Sequence, residues 1–241
     1  MKFLGIEEIE SNYIDNRNKS LWDEMSSRYK LAVVKANCKS YELKYEEGND
    51  HVVILVTDEI LKGIFTHELL HLKLRSYNLN AFLHYESLKN LKSSYIVSSI
   101  VNLLNNIEHI LFLDEFIDLG FNESEFTMDY HTSKYTDQNF KSLTIAKKSG
   151  DEILYKVYFL SMQMTMMSEE YYGLNRDIHL NRMKCFDTNL FNEGILFYND
   201  IIDFEINTNI NNDNQERFDL IILKYLPCLE EVEKSALPTS Y

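Results

Sequence analysis

The chain has 241 residues, of which 45% are hydrophobic and 13% aromatic, enough to bury a substantial core as one globular domain. Its 24 Lys and Arg residues stand against 38 Asp and Glu, a net charge of −14, so a nucleic acid is not expected as a direct partner. No run approaches the roughly 18 consecutive apolar residues of a membrane span, and the acidic N-terminus is unlike a signal peptide. We therefore expect a cytoplasmic protein, and its acidic charge is better suited to a basic protein or peptide than to a nucleic acid.

The N-terminal quarter favours one helix and three short strands. The helix is predicted over 18–28. Strands are predicted over 31–36, 40–45 and 51–56, where hydrophobic, largely β-branched or aromatic residues are bounded by turn residues. Short connections between these strands favour a small, mainly antiparallel sheet.

The segment that follows the last strand predicts a helix over 57–75. Thr57 or Asp58 can cap its N-terminus, and its interior contains no proline. Apolar residues recur at helical spacing along this segment and form a stripe that both histidines continue: Ile60, Ile64, His67, His71 and Leu74. The two histidines are therefore expected to face the interior of the protein.

Residues 67–71 read His-Glu-Leu-Leu-His, an HExxH motif. On a helix, His67 and His71 lie on one face, so that their imidazoles can bind one Zn²⁺. Glu68 then lies beside the metal site as a general base for a water molecule, whose pKa a zinc ion lowers towards ~7. This pattern of residue types is that of a zinc hydrolase.

Helical patterns continue almost without interruption after the motif, and are predicted over 81–91, 95–119, 140–148, 151–171, 190–204 and 215–225. No linker-like shift in composition separates them. We therefore predict a single α+β domain over 1–241, predominantly helical. It has a sheet at about 31–56 packed on the HExxH helix, active-site helices at about 57–119 and a helical C-terminal bundle at about 140–225.

A strand followed by an HExxH helix resembles the arrangement of the zincin metallopeptidases. The metzincin subclass is excluded, because the residues after His71 lack its glycine and third histidine. In the gluzincin subclass a Glu on a later helix completes the zinc site, and Asn105-x-x-Glu108 is similar to the element that carries it. Glu108 also falls on an apolar helical face, where a buried carboxylate needs a cation. His109 stays open as an alternative third ligand, as does a residue elsewhere.

The resemblance leaves two supporting roles less defined. Thermolysin-like gluzincins place an Asp four residues after the third ligand, where this chain has Phe112, so Asp114 or Glu115 would have to take over that role. A Tyr, His or Arg is expected to stabilise the oxyanion, and Tyr130 and His131 are the preferred candidates. His179 is a further candidate.

The sequence therefore predicts a zinc-dependent hydrolase of gluzincin type, a cytoplasmic metallopeptidase that cleaves a specific protein or peptide. Two alternatives stay open. The first is a catalytically silent zincin-like domain, or a helical interaction domain, that binds a partner. The second is hydrolysis of a non-peptide amide by the same chemistry.

Overall fold

A computed structural model of the chain describes residues 1–45, 51–80, 94–128, 137–168, 176–209 and 213–227. The protein is α+β and mostly helical, which confirms the predicted fold class. Its backbone contacts divide it into two compact units. The first unit comprises Met1–Ser76 and Phe112–Thr132, and the second unit comprises Tyr77–Leu111 and Ser133–Tyr241. Each unit combines two separate stretches of chain, which explains why no boundary is visible in the sequence.

The first unit contains a sheet of four strands in the order β1-β2-β4-β3. The strands are β1 (Lys2–Phe3), β2 (Lys30–Lys35), β3 (Glu42–Tyr45) and β4 (His51–Val56). Two of the three pairings are antiparallel, as expected, whereas the central pairing of β2 with β4 is parallel over six residue pairs. Four of the six β4 residues are buried, which is typical of an inner parallel strand. The sequence did not predict β1, which is only two residues long.

The described part of the first unit also contains three complete helices: α1 (Ile6–Tyr13), α2 (Lys19–Arg28) and α3 (Lys62–Ser76). It further contains a 3₁₀ turn at Glu123–Glu125. The sequence predicted α2 to within one residue. It did not predict α1, whose eight residues bury only Ile9 and Tyr13.

Helix α3 carries the HExxH motif and begins five residues later than predicted. The hydroxyl of Tyr41 donates to the carbonyl of Glu59 at 2.7 Å and accepts from the amide of Leu61 at 3.1 Å. The hydroxyl of Thr57 accepts from the amide of Glu59 at 3.2 Å, so it closes a local turn instead of capping the helix. Ile60 consequently lies in an exposed turn, outside the predicted apolar stripe.

A fully buried asparagine fixes α3 against the two preceding helices. The side chain of Asn18 donates to the Thr66 hydroxyl and to the Tyr13 carbonyl, each at 2.9 Å, and accepts from the Asp15 amide at 2.8 Å. Thr66 immediately precedes the first histidine of the motif. These bonds satisfy the buried amide and connect α3 to the chain between α1 and α2.

Gly63, in the first turn of α3, touches the 3₁₀ turn. A Cβ at this position would lie 2.5 Å from the carbonyl oxygen of Glu125 and 2.6 Å from its Cβ. We expect Gly63→Ala to lower the free energy of unfolding by about 1–3 kcal/mol, because the backbone of the turn must move. Urea unfolding measures the change, and Gly5→Ala, which meets nothing within 4 Å, is the matched control. Equal stability of the two variants would contradict this packing.

Among its described residues, the second unit contains the first part of α4 (Ser94–Asp118) and five further helices. They are α5 (Asp137–Ser149), α6 (Glu152–Ser168), α7 (Arg176–Phe186), α8 (Thr188–Ile202) and α9 (Asn214–Tyr225). Five of these six helices were predicted, with starts and ends shifted by up to three residues. Helix α7 was not predicted, because Met183 is its one buried residue and its sequence lacks an apolar stripe. The predicted helix 81–91 lies outside the described residues.

Within the described part of the chain, α4 is the one helix long and apolar enough to cross a membrane, over Ile96–Asp118. Buried core helices of soluble proteins meet the same criterion. The residues of α4 that are buried include Ile100, Leu103 and Ile107. The expected cytoplasmic location therefore stays a prediction.

Candidate metal centre

Helix α3 brings the two histidines of the HExxH motif together. Nε2 of His67 lies 3.0 Å from Nε2 of His71, and the ring centroids are 4.8 Å apart. Two imidazoles at this distance can share a hydrogen bond. The separation is also close to the roughly 3.3 Å between two nitrogens that bind one tetrahedral zinc ion with Zn–N bonds of about 2.05 Å. The helix that the sequence predicted for the motif is confirmed, and it places the two Nε2 atoms next to each other.

Two aromatic rings lie against this histidine pair within the first unit. The ring centroid of Phe112 lies 5.4 Å from that of His67 and 4.8 Å from that of His71, and the ring is edge-to-face with each imidazole. The ring of Phe126 lies 4.5 Å from His67, which is only 6% exposed. The histidine pair therefore borders an apolar surface on the side of these two rings.

This apolar surface explains one departure from the thermolysin-like pattern. The sequence identified Phe112 as the position where an expected carboxylate is missing. In the structure its ring lies against both histidines, so an apolar contact occupies that position. Glu115 forms an ion pair with Lys73, and Asp114 is exposed. Sequence reasoning also missed Phe126, because no local pattern connects it with the motif.

Charged residues hold the turn that carries Phe126. The guanidinium of Arg17 lies 3.6 Å from the carboxylate of Glu125 and 3.8 Å from the ring centroid of Phe121. The same guanidinium donates hydrogen bonds to Asp15, the nearest at 2.8 Å, and these bonds lower the pKa of that carboxyl to about 2. Asp15 is therefore ionised at neutral pH, and the cluster keeps the turn in place beside α3.

Glu68, the predicted general base, follows His67 on α3 and is buried, with 9% of its surface exposed. In the sequence of α3 it stands between the two histidines of the motif. A buried carboxylate has the low-dielectric surroundings in which a proton acceptor is effective.

Helix α4 supplies a third imidazole. Among the described residues, His67, His71 and His109 form a group whose ligand atoms all lie within 4.8 Å of one another. His109 is 5% exposed and lies three residues before Phe112 on the same uninterrupted helix. Glu108, the preferred third ligand from the sequence, is 3% exposed but does not belong to this group. The group thus contains His109, which the sequence left as the alternative third ligand, and not Glu108.

A group of three imidazoles fits a metal ion of borderline softness. Nitrogen ligands of this kind suit Zn²⁺, Cu²⁺, Ni²⁺ and Co²⁺, whereas Mg²⁺ and Ca²⁺ require oxygen ligands. The triad could therefore bind a metal ion.

Of the three candidates for stabilising an oxyanion, the described one, His179, does not belong to this group. Tyr130 and His131 lie outside the described residues. His179 lies on α7 in the second unit, where its ring stacks on Phe140 at a centroid distance of 5.7 Å. Its position is explained by packing between α7 and α5.

Comparisons of the chain with protein-family models, with curated proteins and with solved structures found no match. The resemblance to zincins therefore depends on the HExxH helix and the residues around it.

Proposed function

We propose that this protein is a zinc-dependent hydrolase, a cytoplasmic metallopeptidase of zincin type that cleaves a specific protein or peptide. The observation that carries the proposal is the pair of Nε2 atoms of His67 and His71, 3.0 Å apart on a buried helix that also carries Glu68. A site that only stabilises structure needs no carboxylate beside the metal. Glu68 therefore favours catalysis over a purely structural metal site.

His67, His71 and His109 would hold the zinc ion through their imidazole nitrogens. When bound, zinc acidifies a water molecule and polarises a substrate carbonyl. Glu68 would accept a proton from that water and would later donate it to the leaving amine. The rings of Phe112 and Phe126 exclude other water from the side of His67 that they cover, which strengthens the electrostatic interactions at the site.

The second candidate function is a metal-binding domain without hydrolytic activity. One observation favours it: Phe112 and Phe126 pack directly against His67. A catalytic zinc site keeps one position open for water and substrate, whereas a structural site is closed. In this alternative the aromatic rings take up the space that a substrate would need, and the metal ion stabilises the contact between α3 and Phe112.

A hydrolysis assay separates the two functions. A mixed library of quenched fluorescent peptides is incubated with native chain stripped of metal by a chelator, and then with the same chain reloaded with one equivalent of Zn²⁺. We expect cleavage only after reloading. His71→Ala, purified in the same way, controls for contaminating proteases. Zinc binding without cleavage of any peptide in the library would support the second candidate and contradict the peptidase proposal.

A further inference from the structure

Asn105 is in contact with His109 on helix α4. The two residues are four positions apart, so they are neighbours on one face of the helix, and the structure places Nδ2 of the Asn105 side-chain amide 3.1 Å from Nε2 of His109. Nδ1 of the same imidazole is shielded from solvent. One nitrogen of His109 is therefore held by a neighbour on its own helix, and the other lies inside the protein.

The direction of this hydrogen bond decides whether His109 can bind a metal ion. If the amide nitrogen of Asn105 donates to Nε2, the hydrogen of the neutral imidazole is on Nδ1, and neither nitrogen offers a lone pair to a metal ion. If the amide is rotated by 180°, its oxygen accepts from Nε2–H and Nδ1 carries the lone pair. Both orientations fill the same space, because the two ends of an amide are nearly equal in size.

Resting on the proposed function, we infer that Asn105 is a positioning residue that selects Nδ1 of His109 as the metal-binding nitrogen. In the zinc-loaded protein the side-chain oxygen of Asn105 accepts a hydrogen bond from Nε2–H. This bond fixes the tautomer and the orientation of the ring. Metal-binding histidines usually donate their second N–H to such an acceptor, and loss of the acceptor typically weakens metal binding 10- to 100-fold. Here the acceptor comes from the preceding turn of the same helix.

Two variants test the inference by zinc titration against a chromophoric chelator. Asn105→Leu removes the acceptor at similar volume, and we expect its zinc affinity to fall about 10- to 100-fold. Asn105→Asp supplies a stronger acceptor, and we expect its affinity to equal or exceed that of the native chain. Asn102→Leu, at an exposed position on the same helix, is the matched control and should bind zinc as the native chain does.

Nitrogen NMR of ¹⁵N-histidine-labelled protein supplies a readout that a merely structural role would not move. Zinc loading should shift the Nδ1 resonance of His109 and leave a proton on Nε2. A zinc-dependent shift at Nε2 instead, or native affinity in Asn105→Leu, would overturn the inference and leave the proposed function standing. A native chain that binds no zinc would overturn both, so the two failures are distinguishable.

Discussion

Glu68→Gln is expected to reduce zinc-dependent hydrolysis by about 10²- to 10⁴-fold, the usual contribution of a general base, and to leave zinc content at the native level. The amide has nearly the shape of the carboxylate but cannot accept the proton of the attacking water. Glu68 lies between the two histidines on α3 and is buried, so a substitution of equal size should preserve the packing of the helix. The rate is measured with the peptide library, and zinc content by mass spectrometry on the same samples.

Glu59→Gln is the matched control, because it changes an exposed glutamate just before α3 and should retain native activity. Native activity in Glu68→Gln would exclude Glu68 as the base. Loss of zinc together with activity would mean that Glu68 supports the metal site instead of the proton transfer.

His109→Ala is expected to lower zinc affinity by roughly two to three powers of ten, whereas Glu108→Gln should bind zinc like the native chain. Structural zinc sites with four ligands gain roughly 10–16 kcal/mol, so one ligand contributes about 2.5–4 kcal/mol. His109 belongs to the described group of three imidazoles, and Glu108 does not. Zinc titration of both variants provides the comparison, with His51→Ala, an exposed histidine on β4, as the control.

The reverse result would assign the third position to Glu108, as the resemblance to gluzincins predicts. Native affinity in both variants would place the third ligand elsewhere in the chain, including the segments that the structure does not describe. Circular dichroism of Glu108→Gln is needed alongside, because this carboxylate is only 3% exposed and its replacement alters a buried position.

The sequence was most informative where one helix determines the geometry. The spacing of His67 and His71 is set by the pitch of α3, so the proximity of their Nε2 atoms could be predicted without knowledge of any other segment. The choice between Glu108 and His109 could not be made in this way. Adjacent helical residues point about 100° apart, and tertiary packing, which the sequence does not reveal, decides which of the two can serve as a ligand.

Contacts between distant segments were beyond prediction for the same reason. Phe126 is nearly 60 positions from His67 in the sequence, yet their rings are 4.5 Å apart. The bond from Asn18 to Thr66 and the parallel pairing of β2 with β4 likewise join parts of the chain that no local pattern relates. Even the start of α3 depends on a distant residue, because the hydroxyl of Tyr41 donates a hydrogen bond to the Glu59 carbonyl and accepts one from the Leu61 amide.

The most direct test of the account is the metal content of the native chain, purified without metal-affinity resin, incubated with Zn²⁺ and freed of excess metal. The account predicts one zinc ion per chain by mass spectrometry, and markedly less in His71→Ala. A native chain that retains no zinc would contradict the metal centre itself. The close approach of His67 and His71 would then be a hydrogen bond between two buried imidazoles.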